Sequence, residues 1–397
     1  FPERRPPMPH RAVVAAFTLC IAALIARPLG AADAVAPVEI NAILSETGGA
    51  AAIGTREALM LGIAEKTINK AGGIHGRPVK FSIQDDGTNP QTGVQLMNGL
   101  IARKVQFVVG SGITPICGAM LPLIAQAGPL DYCLSPIIPL TAGSYMFGAS
   151  AGPKDILTYT LRFMHSRGWT KIGLITATDA SGQAYDKEFD AALERPEGAG
   201  MQLVDREHFN NTDISVAAQV AKLKAAAPNV LLTYCVGPCF GTLLKAISDA
   251  GLALPVIGSG GNLDRAQLDS YKSFVPKGLY LVNYNGVTPD PAASGAYRSA
   301  QKRFFDAYAA AGTPVQALDV VAWDPVMLLV DALRTLGPDA TAQQFRAYLA
   351  GLRGWAGLEG TYDFRAVPQR GLDAGAVRAY AWNAAHSTVT AEPAFRP

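Results

Sequence analysis

Val38–Leu44 reads Val-Glu-Ile-Asn-Ala-Ile-Leu, Thr55–Lys70 reads TREALMLGIAEKTINK, and Val79–Gln84 reads Val-Lys-Phe-Ser-Ile-Gln. The outer two are short, apolar and β-branched, which suits strands covered on both faces. The middle stretch is amphipathic. Leu59, Ile63 and Ile68 fall on one side of a helix, with Arg56, Glu65, Lys66 and Lys70 largely elsewhere. Gly72-Gly73 follows it in the position where a helix end needs a left-handed residue. A strand–helix–strand unit of this kind predicts parallel pairing with helices packed on the sheet.

The same alternation continues outward. Strands are predicted at Val105–Val109, Leu130–Leu134, Lys171–Thr176, Gln202–His208, Val230–Val236, Pro255–Gly258, Gly278–Val282 and Val377–Trp382. Amphipathic helices are predicted at Gln91–Arg103, Lys154–Ser166, Ala184–Glu194, Ile214–Ala226 and Thr242–Ala250. Two sheets emerge, one from about Val38 to Ser150 and one from about Asp155 to Val282. A helical region follows, Ala292–Ala311, Ala317–Leu336 and Ala342–Leu352, and then a strand-rich tail. Late segments that return to earlier sheets imply more than one crossover. The fold class expected is α/β: two doubly wound parallel-sheet lobes joined by a multi-strand hinge. A ligand would sit between them at the strand carboxyl ends.

Composition narrows the function. Of 397 residues, 49% are apolar and 17% charged, which excludes a disordered chain. Lys plus Arg number 34 against 32 Asp plus Glu, with no basic block, so nucleic acid is not an expected partner. Arg4, Arg5 and Arg11 precede the apolar run Ala12–Ala26, and small residues follow to Ala34. Residues 1–32 therefore read as a cleavable secretory signal, giving a periplasmic protein. Export makes an even cysteine count meaningful. Cys117, Cys133, Cys235 and Cys239 allow three pairings, with Cys235 and Cys239 near enough to close a small loop; four buried thiols is the alternative. No histidine lies at zinc-ligand spacing from either pair, so no metal site is expected.

Motifs for chemistry are sparse. There is no phosphate-binding P-loop, and Gly110-Ser111-Gly112 lacks the third glycine of a dinucleotide fingerprint, so no cofactor is expected. Gly148-Ala149-Ser150-Ala151-Gly152 fits the nucleophile-elbow pattern, with Asp373 and His386 following in hydrolase order. Tyr145-Met146-Phe147 is a poor strand to feed such an elbow, and Pro153 follows it. A linker is the favoured reading, with an exported α/β-hydrolase using Ser150 as the alternative. Asp85-Asp86, before Gly87, Asn89 and Pro90, suits turns and caps. The strand-to-helix junctions are more informative. Thr114 suits an N-cap and Pro115 the first helical position. A helix N-terminus there holds a carboxylate without lysine or arginine. Ser135-Pro136, Thr141, Asp179–Gln183 and Ser259–Asn262 occupy comparable junctions.

Taken in order, these residues resemble the periplasmic leucine/isoleucine/valine-type solute-binding proteins of ABC importers. The likeness runs through Ser45-Glu46-Thr47-Gly48-Gly49, Ile53-Gly54, the stretch Ile68–Val79 (INKAGGIHGRPV), Asp85-Asp86 with Asn89-Pro90, Val108-Val109-Gly110 and Ser135-Pro136. The resemblance implies a type I binding protein that is not an enzyme. It closes like a hinge on a small solute and works as a monomer with an inner-membrane ABC permease. The lobes would comprise residues 33–153 plus 285–358 and residues 154–284 plus 359–397. Gly148–Gly152 would be the first crossover. The ligand-binding residues implied are Ile53, Ser111, Gly112, Thr114, Ser135, Thr141, Ser181, Tyr234 and Asn262.

Departures from the family pattern bear on the ligand. Ile137-Ile138-Pro139-Leu140 replaces small hydroxyl or alanine residues, and Ser181 stands where an aromatic residue is usual. The loop that usually supplies an acid to an α-ammonium group, Ser259–Asn262, has no Asp or Glu before Asp264. A buried ammonium without a partner costs several kcal/mol. The expected ligand is thus a carboxylate lacking the ammonium group, an aromatic or other organic acid. Tyr234 and Phe240 would face its ring, and Ile137 and Ile138 would make the pocket apolar. The alternatives are a branched-chain or other amino acid, with an acid such as Glu46 supplying the missing charge, or a sensor that signals through a partner.

Overall fold

The computed structural model describes residues 36–276 and 278–393; the expected signal, residues 1–32, lies outside the described residues. The chain opens with β1 (Val38–Leu44), α1 (Ala51–Lys70), β2 (Val79–Asp85), α2 (Pro90–Ala102) and β3 (Phe107–Val109). Next come α3 (Thr114–Ile124), β4 (Leu130–Cys133) and β5 (Met146–Gly148). These five strands form one parallel sheet in the order β2-β1-β3-β4-β5. Met146 and Phe147 of the expected poor strand thus do pair, together with Gly148, at the sheet edge.

The chain then crosses over. α4 (Pro153–Ser166), β6 (Lys171–Ala177), α5 (Ala180–Leu193), β7 (Gln202–Phe209) and α6 (Ala217–Ala225) begin the second lobe. It continues with β8 (Val230–Tyr234), α7 (Pro238–Asp249), β9 (Val256–Ser259), α8 (Arg265–Ser270) and β10 (Leu279–Tyr284). The long helices α9 (Gly295–Ala310), α10 (Ala317–Leu336) and α11 (Ala342–Gly351) follow. A hairpin of β11 (Arg353–Ala356) and β12 (Thr361–Asp363) leads to β13 (Val377–Asn383) and β14 (Thr388–Ala391). The last two join the second sheet, ordered β14-β13-β10-β9-β8-β6-β7. Its parallel part ends at β10, where β13 pairs antiparallel.

Both sheets reverse their winding direction part-way. The reversal falls between β1 and β3 in the first and between β6 and β8 in the second. At such a point adjacent loops leave to opposite faces and open a crevice beyond the strand ends. One apolar core spans the two lobes, and a second lies on the other face of the first sheet, against α2 and α3. Fifteen of the twenty residues of α10 are buried, so it is covered all round rather than on one stripe. In α1 the buried face is Met60, Leu61, Ile63, Ala64 and Ile68, whereas Leu59 is 40% exposed. Ile63 and Ile68 thus face inward as predicted and Leu59 does not, while Glu57 lies on the inner side. Among the described residues no helix is long and apolar enough to cross a membrane.

The crossovers are braced by buried polar groups. The Arg370 guanidinium donates to the carbonyls of Ile138 (2.7 Å), Ala149 (3.0 Å) and Ser150 (3.4 Å). Asp324 accepts from the Leu358 and Glu359 N–H groups and from the Tyr362 hydroxyl. Each bond is worth about 1 kcal/mol net, and more where a charge takes part. Together they fix where the three connecting segments pass one another.

Candidate functional site

The two crevices face each other across a cavity of about 330 Å³, at the lower end of small-molecule pockets, roughly 300–1,000 Å³. One wall comes from the first sheet. Ile53 and Glu57 lie in the first turns of α1, Gly112–Pro115 at the start of α3, and Leu134–Ile137 just beyond β4. Ala317, Leu318 and Val321 of α10 close that side. The other wall comes from the second sheet: Asp179–Ser181 and Tyr185 after β6, Tyr234 and Val236 at the end of β8, and Gly258–Gly261 around the end of β9.

The first wall is rich in neutral hydrogen-bonding groups. The helix begins at Thr114 itself, one residue earlier than predicted, with Ile113 in the cap position. Thr114 is thereby released from capping, and its hydroxyl lies 2.6 Å from that of Ser135. Ile116 and Cys117 donate back to the Ile113 carbonyl, and Pro115 has no N–H. The first-turn donor without an intrahelical partner is the Thr114 N–H. A disulfide, Cys117–Cys133, joins the first turn of α3 to the end of β4, directly behind these hydroxyls.

The second wall is aromatic and glycine-rich. Tyr185 and Tyr234 stack with ring centroids 4.5 Å apart and planes 22° apart. Burial pushes both phenols up, each aided by a neighbouring group, Tyr234 beside Tyr185 and Asp179 beside Tyr234. A second disulfide, Cys235–Cys239, closes the small loop carrying Val236. Asp179 lines the cavity but is engaged as a helix cap, accepting from Gly182 N–H, the Ser181 hydroxyl and the Asn211 amide.

Of the residues singled out from sequence, Ile53, Gly112, Thr114, Ser135, Ser181 and Tyr234 line the cavity. Ser111, Thr141 and Asn262 do not. Ser111 is fully buried, 3.5 Å from the Ser45 hydroxyl, and accepts from Ile113 N–H. Thr141 is exposed on the loop after Pro139. Asn262 is buried and ties two loops together, donating to the Cys235 carbonyl and accepting from Gly237 N–H. Phe240 and Ile138 are core residues rather than pocket walls; Ile137 does line the cavity. Glu46 is half-buried and outside the lining.

Sequence reasoning missed Tyr185 and Glu57. Glu57 is 4% exposed, and a Cβ on Gly112 would lie 2.0 Å from its Oε1, so a larger residue there would push the carboxyl aside. Burial raises its carboxyl to about 8, despite donation from the Gly112 backbone, and the neighbouring Asp86 adds to the rise. Its signal was a carboxyl at helical spacing from Ile53 and Leu61, on the stripe that packs inward. No lysine, arginine or histidine is among the described residues that line the cavity.

The apparent nucleophile elbow has a different occupation. Strand β5 does run into it, α4 does leave it, and Ser150 has φ +59°. Its hydroxyl is fully buried, outside the cavity lining, and donates to Glu359 Oε1 at 2.7 Å. His386 lies in the turn between β13 and β14, its backbone N–H donating to Asn383.

Two α/β lobes, each opening a crevice at its winding reversal onto one shared cavity, correspond to a known family. The periplasmic binding protein family matches residues 37–386. The chain belongs to this family. Among curated relatives of this periplasmic binding protein is a Leu/Ile/Val-binding protein homologue of Brucella melitensis. It is 26% identical over 298 residues, covering 73% of this chain and 79% of the relative. Solved structures share the fold at lower identity. The branched-chain amino acid transporter substrate-binding protein of Streptococcus pneumoniae, in complex with isoleucine, superposes with a TM-score of 0.75 at 19% identity, covering 91% of this chain and all of that one. A solute-binding protein of an ABC transporter from R. palustris, in complex with 4-hydroxybenzoate, gives 0.73 at 16% identity, covering 90% and 95%. The family is one of transport proteins that bind small solutes and work with ABC permeases.

Proposed function

We propose that this periplasmic binding protein captures a small carboxylate without an α-ammonium group, an aromatic or other organic acid, and delivers it to an inner-membrane permease. The observation that carries this reading is the division of labour between the walls. The first offers the Thr114 N–H and the Thr114 and Ser135 hydroxyls, which suit a carboxylate. The second offers the Tyr185–Tyr234 stack and a loop, Gly258–Asn262, with no acid to meet an ammonium. The 4-hydroxybenzoate bound by the R. palustris protein is of the same chemical class. Ser150 as a hydrolase nucleophile is disfavoured by the commitment of its hydroxyl to Glu359.

A second reading, an amino acid, is favoured by the names of the curated relatives and the isoleucine held by the S. pneumoniae protein. It needs an acid in the cavity, and Glu57 is placed to be one. On either reading the chain is exported with removal of residues 1–32 and acts as a monomer. Its lobes divide at 33–153 plus 285–358 and 154–284 plus 359–397, with Gln369 leaning back onto Gly143 and Ser144 of the first lobe. Ligand shifts the balance between open and closed lobes by its greater affinity for the closed form.

The test is a thermal-shift screen of ligand-stripped protein against benzoate, 4-hydroxybenzoate, leucine and isoleucine. A ligand at 100 times its Kd stabilises by about 2.7 kcal/mol. Shifts with the ammonium-free acids alone are expected; shifts with the amino acids alone overturn the carboxylate reading.

A further inference from the structure

Glu57 is a cavity-lining carboxyl that the proposed binding scheme leaves without a role, and the inference drawn from it rests on that scheme. The carboxyl lies in the first wall, packed flush on Gly112, with Thr114 two residues beyond. Its Oε2 is sealed from water and has no hydrogen-bond partner. Among the described residues that line the cavity there is no cation. Arg56, the preceding residue, points to Asp319 and the Pro314 carbonyl. The other titratable groups around it are Asp86 from the turn after β2 and, across the cavity, Asp179, Tyr185, Tyr234 and Tyr284. None of these carries a positive charge. A bare anionic oxygen held this way costs several kcal/mol, whereas a protonated carboxyl turns the same oxygen into a donor.

We propose that Glu57 is a ligand-binding residue that acts as a neutral acid, donating a hydrogen bond to the ligand carboxylate beside the Thr114 and Ser135 hydroxyls. The site then recognises an anion entirely with uncharged donors. It excludes a ligand whose ammonium would need Glu57 ionised. The burial that raises its carboxyl to about 8 is consistent with the proton being present at neutral pH. As pH rises past that value, binding must force a proton back onto Glu57, so affinity for a fully ionised carboxylate falls.

The experiment is calorimetric titration from about pH 6 to about pH 9.5 on the mature chain and on Glu57→Gln, whose amide keeps a donor but cannot ionise. The probes are benzoate, phenylacetate and isovalerate, which stay ionised throughout, and L-leucine. Melting curves confirm that the variant is folded. The expected result is that wild-type affinity for the acids falls about tenfold per pH unit above about 8, while the variant stays flat. Acids that bind both proteins with the same pH profile overturn the role of Glu57 and leave the carboxylate reading standing. Binding of L-leucine that is lost in Glu57→Gln makes Glu57 an ionised partner and overturns both. If none of the acids binds either protein, the carboxylate reading falls and the role of Glu57 falls with it.

Discussion

The two walls of the cavity are built by the same kind of loop and yet offer different chemistry. The first presents hydroxyls, an N–H and a carboxyl; the second presents two stacked tyrosines and glycines, with its own carboxyl, Asp179, taken up in capping a helix. What lies beneath them differs in the same way. Under the first wall the Asp131 carboxyl packs against Gly110, whose Cβ would fall 2.4 Å from Oδ1. Under the second, the Phe240 ring packs against Gly258, with the corresponding approach 2.9 Å. The lesson is that a winding reversal supplies the position of a site but not its polarity. Polarity is set by single residues on and under the loops.

The largest expected effect concerns that support. Asp131 is fully buried in β4, and neither carboxyl oxygen has a partner. Burial raises it from 3.8 to about 7. The folded chain thus holds this proton more tightly than the unfolded chain does. Its contribution is full below about pH 4 and drains away as pH climbs toward about 7. Three units at 1.36 kcal/mol each give on the order of 4 kcal/mol. Asp131→Asn is expected to match wild type near pH 4 and to exceed it by about that amount near pH 8 in denaturant unfolding. Equal stability at both pH values would mean that the polar wall rests on no such strain, and the contrast beneath the walls would be lost.

Next in size is the hydroxyl pair. Thr114→Val with Ser135→Ala removes both partners of the 2.6 Å contact, so neither is left unpaired. Hydrogen bonds to a charged group are worth about 1.5–3 kcal/mol each. Affinity is expected to fall by at least about tenfold for every carboxylate, whatever its tail, with the melting temperature of free protein little changed. A loss confined to aromatic acids would show that the head group is not read on this wall.

Much of this arrangement is legible in the sequence, for definable reasons. Runs such as Val230–Tyr234 are buried on both faces, and only covered strands tolerate that much apolar sequence. The junctions after them follow, which is why Thr114, Ser135 and Tyr234 could be named. Strand β5 is only three residues long and pairs on one side, too little pattern to separate from a loop. In α1 each residue turns 100°, so taking Leu59 as inward hides Glu57, two positions away. Asn262 and Ser111 occupy the right loops but face the scaffold, and a loop's sequence does not say which way a side chain turns. Tyr185 lies inside α5 rather than at its start, so only the packing of β8 beside β6 brings it to Tyr234.

That tyrosine pair gives the smallest predicted effect and the sharpest test of the comparison. Stacked and edge contacts between rings are worth about 0.5–1.5 kcal/mol beyond the area they bury. Tyr185→Leu keeps an apolar side chain of similar reach but removes one ring of the stack. Affinity for benzoate is expected to drop by roughly two- to tenfold, and affinity for an aliphatic acid such as isovalerate by less. The ratio between the two ligands is the quantity to measure, because it cancels any general loosening of the lobe. A ratio that does not move would mean that the aromatic wall serves packing alone. Ligand choice would then rest on the first wall, where head-group donors, and not rings, decide what is bound.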